Sequence, residues 1–250
     1  MEETIIPKTS TVFATLFRAD MATLISNRRS AIISLFVPLI VLFTWKGLIK
    51  HVGGPTVLAT AIAIGLIAIG LMGYTLSVAR DRDKGIFQRL RVAPVPTWVI
   101  MTSRICVQLV MIAVLTLVVF IVGYQYDGVL LAPLGYVITF FIAILGATVY
   151  LSLGQLIVGL IKGFETINAV TRITYIALMM VGMFSTFFEN QQLKEVVRFS
   201  PYGCVKMMLA ASMEPSKAWA HDANIAVLCS LGYIVVFAGI GIKNFQWSSK

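Results

Sequence analysis

Six separate stretches of this chain are each long and apolar enough to cross a lipid bilayer: residues 30–49, 56–79, 105–126, 134–161, 169–188 and 223–242. A helix of about 20 mostly apolar residues spans the ~30 Å hydrocarbon core. In contact with lipid the backbone has to be satisfied internally, which leaves helices or a closed barrel. Barrel strands alternate apolar and polar over roughly ten residues, whereas these runs are continuously apolar. The expected class is therefore all-α, a polytopic membrane helix bundle with six transmembrane helices in one domain over residues 1–250. The six spans leave little chain for anything else, and 58% hydrophobic against 12% charged residues suits a lipid-solvated bundle.

The net charge of +9 would suit a nucleic-acid partner, but its placement points to the membrane instead. With the N-terminus inside, fourteen of the twenty Lys and Arg residues fall on the inner segments, as the positive-inside tendency requires. Both termini are then cytoplasmic, and no nucleic-acid partner is expected. The start, Met1-Glu2-Glu3, lacks a basic region followed by an apolar one, so the first span is expected to act as its own insertion signal. Before it, in residues 10–29, Phe13, Leu16, Phe17, Met21, Leu24 and Ile25 recur at steps of three and four, the pattern of an amphipathic helix at the membrane interface. Cys106 and Cys229 fall within spans and Cys204 has no evident partner, so no disulfide is expected.

Within the spans, Pro38 interrupts the first, and the second is rich in Ala and Gly, which let helices approach closely in lipid. The second is expected to be an internal helix. Residues 189–222 are half apolar, with Pro201 and Pro215 as interruptions, and too short to span twice. They are expected to form short helices re-entering the outer leaflet.

Chemistry is notable for what is missing. Ionisable groups at membrane depth mark proton relays and ion sites, and the middles of all six spans hold none. There is no metal-binding His-Glu-x-x-His, no Gly-x-Ser-x-Gly nucleophile elbow and no Gly-x-x-x-x-Gly-Lys-Ser/Thr phosphate loop. His51 and His221 are isolated, so no metal site is expected. The chain is not expected to be an enzyme, and energy for any transport has to come from a partner or a gradient.

One loop is informative. Between the second and third spans, within residues 80–104, the chain reads Arg-Asp-Arg-Asp-Lys-Gly-Ile-Phe-Gln-Arg-Leu-Arg from Arg80 to Arg91, and Pro94 and Pro96 follow. Asp81 and Asp83 are expected to precede a short helix closed by Arg89 and Arg91, with acids at its positive end and bases at its negative end. Ile86, Phe87 and Leu90 would share one apolar face that has no evident groove of its own chain to fill.

At these residues the sequence resembles the membrane subunits of type 2 ATP-binding-cassette (ABC) exporters. Their first cytoplasmic loop reads Glu-Arg-Glu-Arg-Gly-Thr-Leu-Glu-Arg-Leu and then Thr-Pro; Asp81, Asp83, Gly85, Arg89, Leu90 and Pro94 fall in register. Ile86 stands where the family has Thr, and Gln88 where it has its later Glu. The resemblance extends over the whole chain, including Ser200-Pro201-Tyr202 in the long outer segment. It implies a permease half, two identical or paralogous chains working with two ABC ATP-binding subunits. ATP and Mg would be bound by those subunits, and no cofactor by this chain. The resemblance further implies coupling to the ATPase through Asp83, Gly85, Ile86, Phe87, Arg89 and Leu90, with Phe87 and its neighbours entering a cleft of that subunit. A substrate pathway would run between the permeases, with Tyr74 and Ser77 on the second span and Thr174, Tyr175 and Phe184 on the fifth as candidate lining. The absence of buried charge favours a hydrophobic or amphipathic cargo, drug-like or lipid-like, moved outward across a bacterial or archaeal cell membrane. The alternatives are a self-contained channel or secondary carrier, which would be expected to show inverted repeats, and a scaffold that transports nothing.

Overall fold

A computed structural model describes residues 8–26, 28–91, 97–184, 191–214, 219 and 221–245. Among these there is no strand, and helices follow one another through the chain: α1 (Thr9–Ser26), α2 (Arg28–Trp45), a 3-10 turn at Lys46–Leu48, α3 (Ile49–Val52), α4 (Gly54–Leu66), a π-helical stretch (Ile67–Gly73), α5 (Tyr74–Asp83), α6 (Ile86–Arg91), α7 (Thr97–Gln125), α8 (Pro133–Leu160), α9 (Phe164–Phe184), α10 (Gln191–Phe199), α11 (Pro201–Met213) and α12 (His221–Lys243). The protein is a polytopic helical bundle.

Five helical segments are long and apolar enough to cross a membrane: Leu35–Val52, Gly54–Asp83, Trp98–Gln125, Pro133–Leu160 and His221–Lys243. These correspond to five of the six expected spans. At 21 residues, α9 is about 31 Å long. The fifth expected span, 169–188, starts five residues later than α9, and its last four residues lie outside those described.

The second span is the centre of the bundle, as its small residues suggest. Within the apolar window of Gly54–Asp83, 83% of residues are buried, against 17–50% in the other four spans. Its glycines are points of close approach. A Cβ on Gly65 would lie 2.8 Å from the Pro38 ring of α2 and would also meet Leu115 of α7, so three helices cross there. Pro38 fills the notch that the glycine leaves. The helix continues without a break through the π-helical stretch, and at 30 residues roughly a third of its length is surplus to the ~30 Å hydrocarbon core. Its surplus length carries Arg80–Asp83 past the apolar part of the bundle.

Two glycines bring α8 and α12 together. A Cβ on Gly159 would lie 2.8 Å from the Gly241 Cα, and one on Gly241 would lie 2.6 Å from the Gln155 carbonyl oxygen. Small residues at a crossing allow this backbone approach. At the opposite end of the bundle, Lys46 lies over the Tyr126 ring, 3.8 Å from its centroid, and Phe43 meets the same ring edge-on.

The long segment after α9 supplies core. In α11, Tyr202, Cys204, Val205, Met208 and Leu209 are fully buried among α4, α8 and α12. Ser200 starts the helix by accepting the Gly203 N–H at 3.0 Å, and Pro201 fits the first turn, where no N–H is needed. Gly146 of α8 leaves room for Val205, and the Ser212 hydroxyl lies 2.9 Å from that of Thr139. In contrast, α10 keeps Val196 and Phe199 exposed.

The N-terminal α1 is docked on α7. Phe13, Leu16, Phe17, Met21 and Leu24 are half-buried along one stripe, while Ile25, expected on that face, is 55% exposed. No residue of α1 is fully buried, as suits a helix lying on the surface of the bundle.

Candidate coupling site

The informative loop folds as a helix, a two-residue turn and a second helix. The α5 helix ends where the Lys84 N–H bonds to Arg80 O at 3.0 Å and the Gly85 N–H to Arg82 O at 3.1 Å. Gly85 has φ +67°, a left-handed conformation in which a Cβ would strain the backbone. The glycine of the motif is thus the residue that lets the chain reverse into α6. Asp81 and Asp83 precede α6 as expected, but they lie in the last turn of α5, at the negative end of that helix. Negative side chains at a helix C-terminus oppose its dipole. For Asp81 the compensation is an ion pair with Arg104.

Phe87 is fully buried, which corrects the expectation that it projects toward a partner. The Gly85 reversal lays one face of α6 against the ends of its neighbours. Phe87 joins a cluster with Tyr74 and Val78 of α5, Ile100 of α7, and Leu151 and Val158 of α8. Phe245, just beyond α12, meets the ring edge-on at 6.0 Å between centroids, and the Arg104 guanidinium lies 5.1 Å from its centre. The chain has its own groove for this residue. Ile86 is half-buried, whereas Asp83, Lys84 and Gln88 are exposed. The side chains of Arg89 and Leu90 lie outside the described residues.

Arg104 gathers three helices. It pairs with Asp81 of α5 and stands 4.0 Å from the Asp20 carboxylate of α1, which also accepts the Ser103 hydroxyl at 2.7 Å. Side-chain exposures of 11% for Arg104, 24% for Asp20 and 20% for Asp81 place these groups out of open solvent. Pairs of this kind are less screened than surface ion pairs.

Arg82 went unrecognised in the sequence, where it is simply one more positive charge on an inner loop. It is 1% exposed. Its guanidinium donates to the carbonyls of Val158 at 2.9 Å, Ile161 at 2.6 Å and Lys162 at 2.7 Å, at the end of α8 and in the connector to α9. A signal was present: Thr75, Val78, Ala79 and Arg82 recur at helical spacing, and all four are buried.

The candidate pathway residues differ in burial. Tyr74 is 1% exposed and donates its hydroxyl to Gln155 Oε1 at 2.7 Å, which makes it an interior packing group within this chain and corrects its assignment as lining. Ser77, Thr174 and Tyr175 are half-buried, and the Phe184 side chain lies outside the described residues. Two cavities, of about 240 and 360 Å³, lie around α10, α11 and the start of α4, and none of the five residues lines either.

The arrangement provides an exposed elbow whose buried Phe87 packs against α5, α7 and α8 and against Phe245 just beyond α12. No curated protein matches the chain. The sequence model of the ABC-2 family transporter proteins matches residues 50–243, which take in the elbow and every helix from α4 to α12. The chain belongs to the ABC-2 family of transporter membrane components.

Proposed function

We propose that the chain is the permease half of an ATP-driven exporter, docking a separate ATP-binding subunit on the solvent face of the elbow. The observation that carries this reading is the exposure of Asp83, Lys84 and Gln88 on a turn whose other face is pinned by Phe87. A docking element needs an accessible face, and it needs a rigid back to transmit displacement. The family's ATP-binding partners fit a chain that carries no phosphate loop of its own.

Two permeases and two ATP-binding subunits complete the complex, and ATP and Mg belong to the latter. The elbow and both termini face the cytoplasm, in keeping with the inner excess of basic residues. The other end, with α10 and α11, faces outward, and α11 re-enters the outer half of the membrane. The cargo is hydrophobic or amphipathic, since the span centres carry no charge to receive an ion.

The test joins topology to energetics. With Cys106, Cys204 and Cys229 replaced by serine, single cysteines at Lys84 and Gln192 are expected to react with an impermeant thiol reagent from opposite faces of sealed vesicles. The purified chain is expected to hydrolyse no ATP alone, and to co-purify with its ATP-binding subunit as a two-plus-two complex that does. Labelling of both cysteines from one face, or hydrolysis by the chain itself, overturns the reading.

A further inference from the structure

The last four carbonyls of an α-helix have no partner within the helix. At the end of α8 the Ile157 carbonyl is taken by the Ile161 N–H at 3.0 Å, and the next carbonyl, of Val158, turns to Arg82 of another helix. Its Nη1 reaches Val158 O, and its Nη2 reaches both Ile161 O and Lys162 O. Immediately afterwards the Gly163 carbonyl accepts the Ile167 N–H at 3.0 Å to begin α9. One guanidinium thus holds the end of α8 and the short connector into α9.

The position of Arg82 in its own helix gives this grip a direction. Gly85, the pivot of the elbow, follows three residues later. Asp81 precedes it and binds Arg104 of α7, which in turn faces Asp20 of α1. Consecutive residues of a helix point about 100° apart, so Asp81 and Arg82 tie the root of the elbow to different neighbours. Burying a guanidinium is costly, and apolar residues of similar size often serve stability equally well. The partial negative charge of the α8 C-terminus and three carbonyl oxygens compensate the cation, but a glycine cap would close α8 without any cation. What the arginine adds is a multidentate link between two elements. A lysine has the charge without the planar fork.

We propose that Arg82 is a positioning residue, the strut that carries a displacement of the elbow into α8 and α9. The proposal rests on the elbow being the docking element for an ATP-binding subunit. Without the strut, that subunit moves α6 while the α8–α9 turn lags, so hydrolysis proceeds without transport.

The test has two arms. In the isolated chain in nanodiscs, with the three native cysteines replaced by serine, spin labels at Lys84 and Lys162 are expected to give one narrow distance distribution. Arg82→Gln is expected to at least double its width. In the assembled complex, Arg82→Gln is expected to leave ATP hydrolysis within about twofold of the parent while transport per ATP falls at least tenfold, and Arg82→Lys is expected to fall between. A structural cap alone would lower assembly and stability together and leave transport per ATP unchanged in the molecules that assemble. If Arg82→Gln does not accumulate, Arg82→Lys carries both comparisons. An unchanged label distribution, or parental transport per ATP, overturns the strut. Failure of the unaltered chain to bind an ATP-binding subunit defeats the docking reading instead, and the label distribution still decides whether Arg82 links the two elements.

Discussion

Phe87→Ala is expected to destabilise the isolated chain by about 3–5 kcal/mol, the usual cost of emptying a buried phenylalanine site. The ring is fully enclosed by residues of α5, α7 and α8 and by Phe245. Its removal leaves a void that those helix ends cannot close without moving. It also takes away the face beneath the Arg104 guanidinium, an interaction worth about 0.5–2 kcal/mol. Gln88→Ala, next to it on the exposed side, is expected to change stability by no more than about 0.5 kcal/mol. Denaturant unfolding of the two variants in detergent, without any partner, measures the difference. A Phe87→Ala chain as stable as the parent but unable to bind the ATP-binding subunit would return the ring to the partner.

Gly241→Leu is the second large effect, expected at about 3 kcal/mol or more. Overpacking generally costs 1–3 kcal/mol, sometimes more, and here the obstacle is backbone that no rotamer change can clear. A Cβ at Gly241 meets the Gln155 carbonyl at 2.6 Å and the Leu156 nitrogen at 2.7 Å. Gly239 lies two residues away on the same helix with nothing within 4 Å of its Cβ position. Gly239→Leu is accordingly expected not to destabilise, and to gain up to about 1 kcal/mol from helix propensity. Thermal unfolding in detergent compares them, and equal effects would contradict the α8–α12 crossing.

The spans were legible because hydrophobicity over 20 residues is a strong local signal, whereas their ends were less so. Helix α9 begins at Phe164, before the apolar run, because Glu165, Asn168 and Arg172 recur at helical spacing. Arg172 Nε also donates to Asn168 Oδ1 at 2.9 Å. A polar stripe on a helix resembles a loop when only hydropathy is read. The short helices α10 and α11 were foreshadowed by the half-apolar composition of residues 189–222. That α11 is core depends on distant notches, Gly146 for Val205 and Gly182 for the Tyr202 ring.

The elbow divides in the same way. Gly85 and the motif around it announce a turn locally. The side to which Phe87 points is set by Ile100, Leu151 and Phe245, which are remote in sequence, so the apolar face of α6 was legible and its occupant was not. The burial of Arg82 follows from the periodicity of α5, but recognising it requires following a buried face past the last apolar residue. Tyr74 misled for the opposite reason. A tyrosine in a small-residue span suggests a pathway, while its bond to Gln155 satisfies a buried hydroxyl within one chain.

A partner ATPase is expected to meet the elbow on its solvent face while Phe87 anchors the other. A photo-activatable cross-linker placed singly at Lys84, Gln88 or Phe87, in the complex assembled with the ATP-binding subunit, tests both halves at once. An adduct with that subunit is expected from Lys84 and Gln88, and from Phe87 only links within the chain. An adduct from Phe87 with none from Lys84 and Gln88 would contradict it.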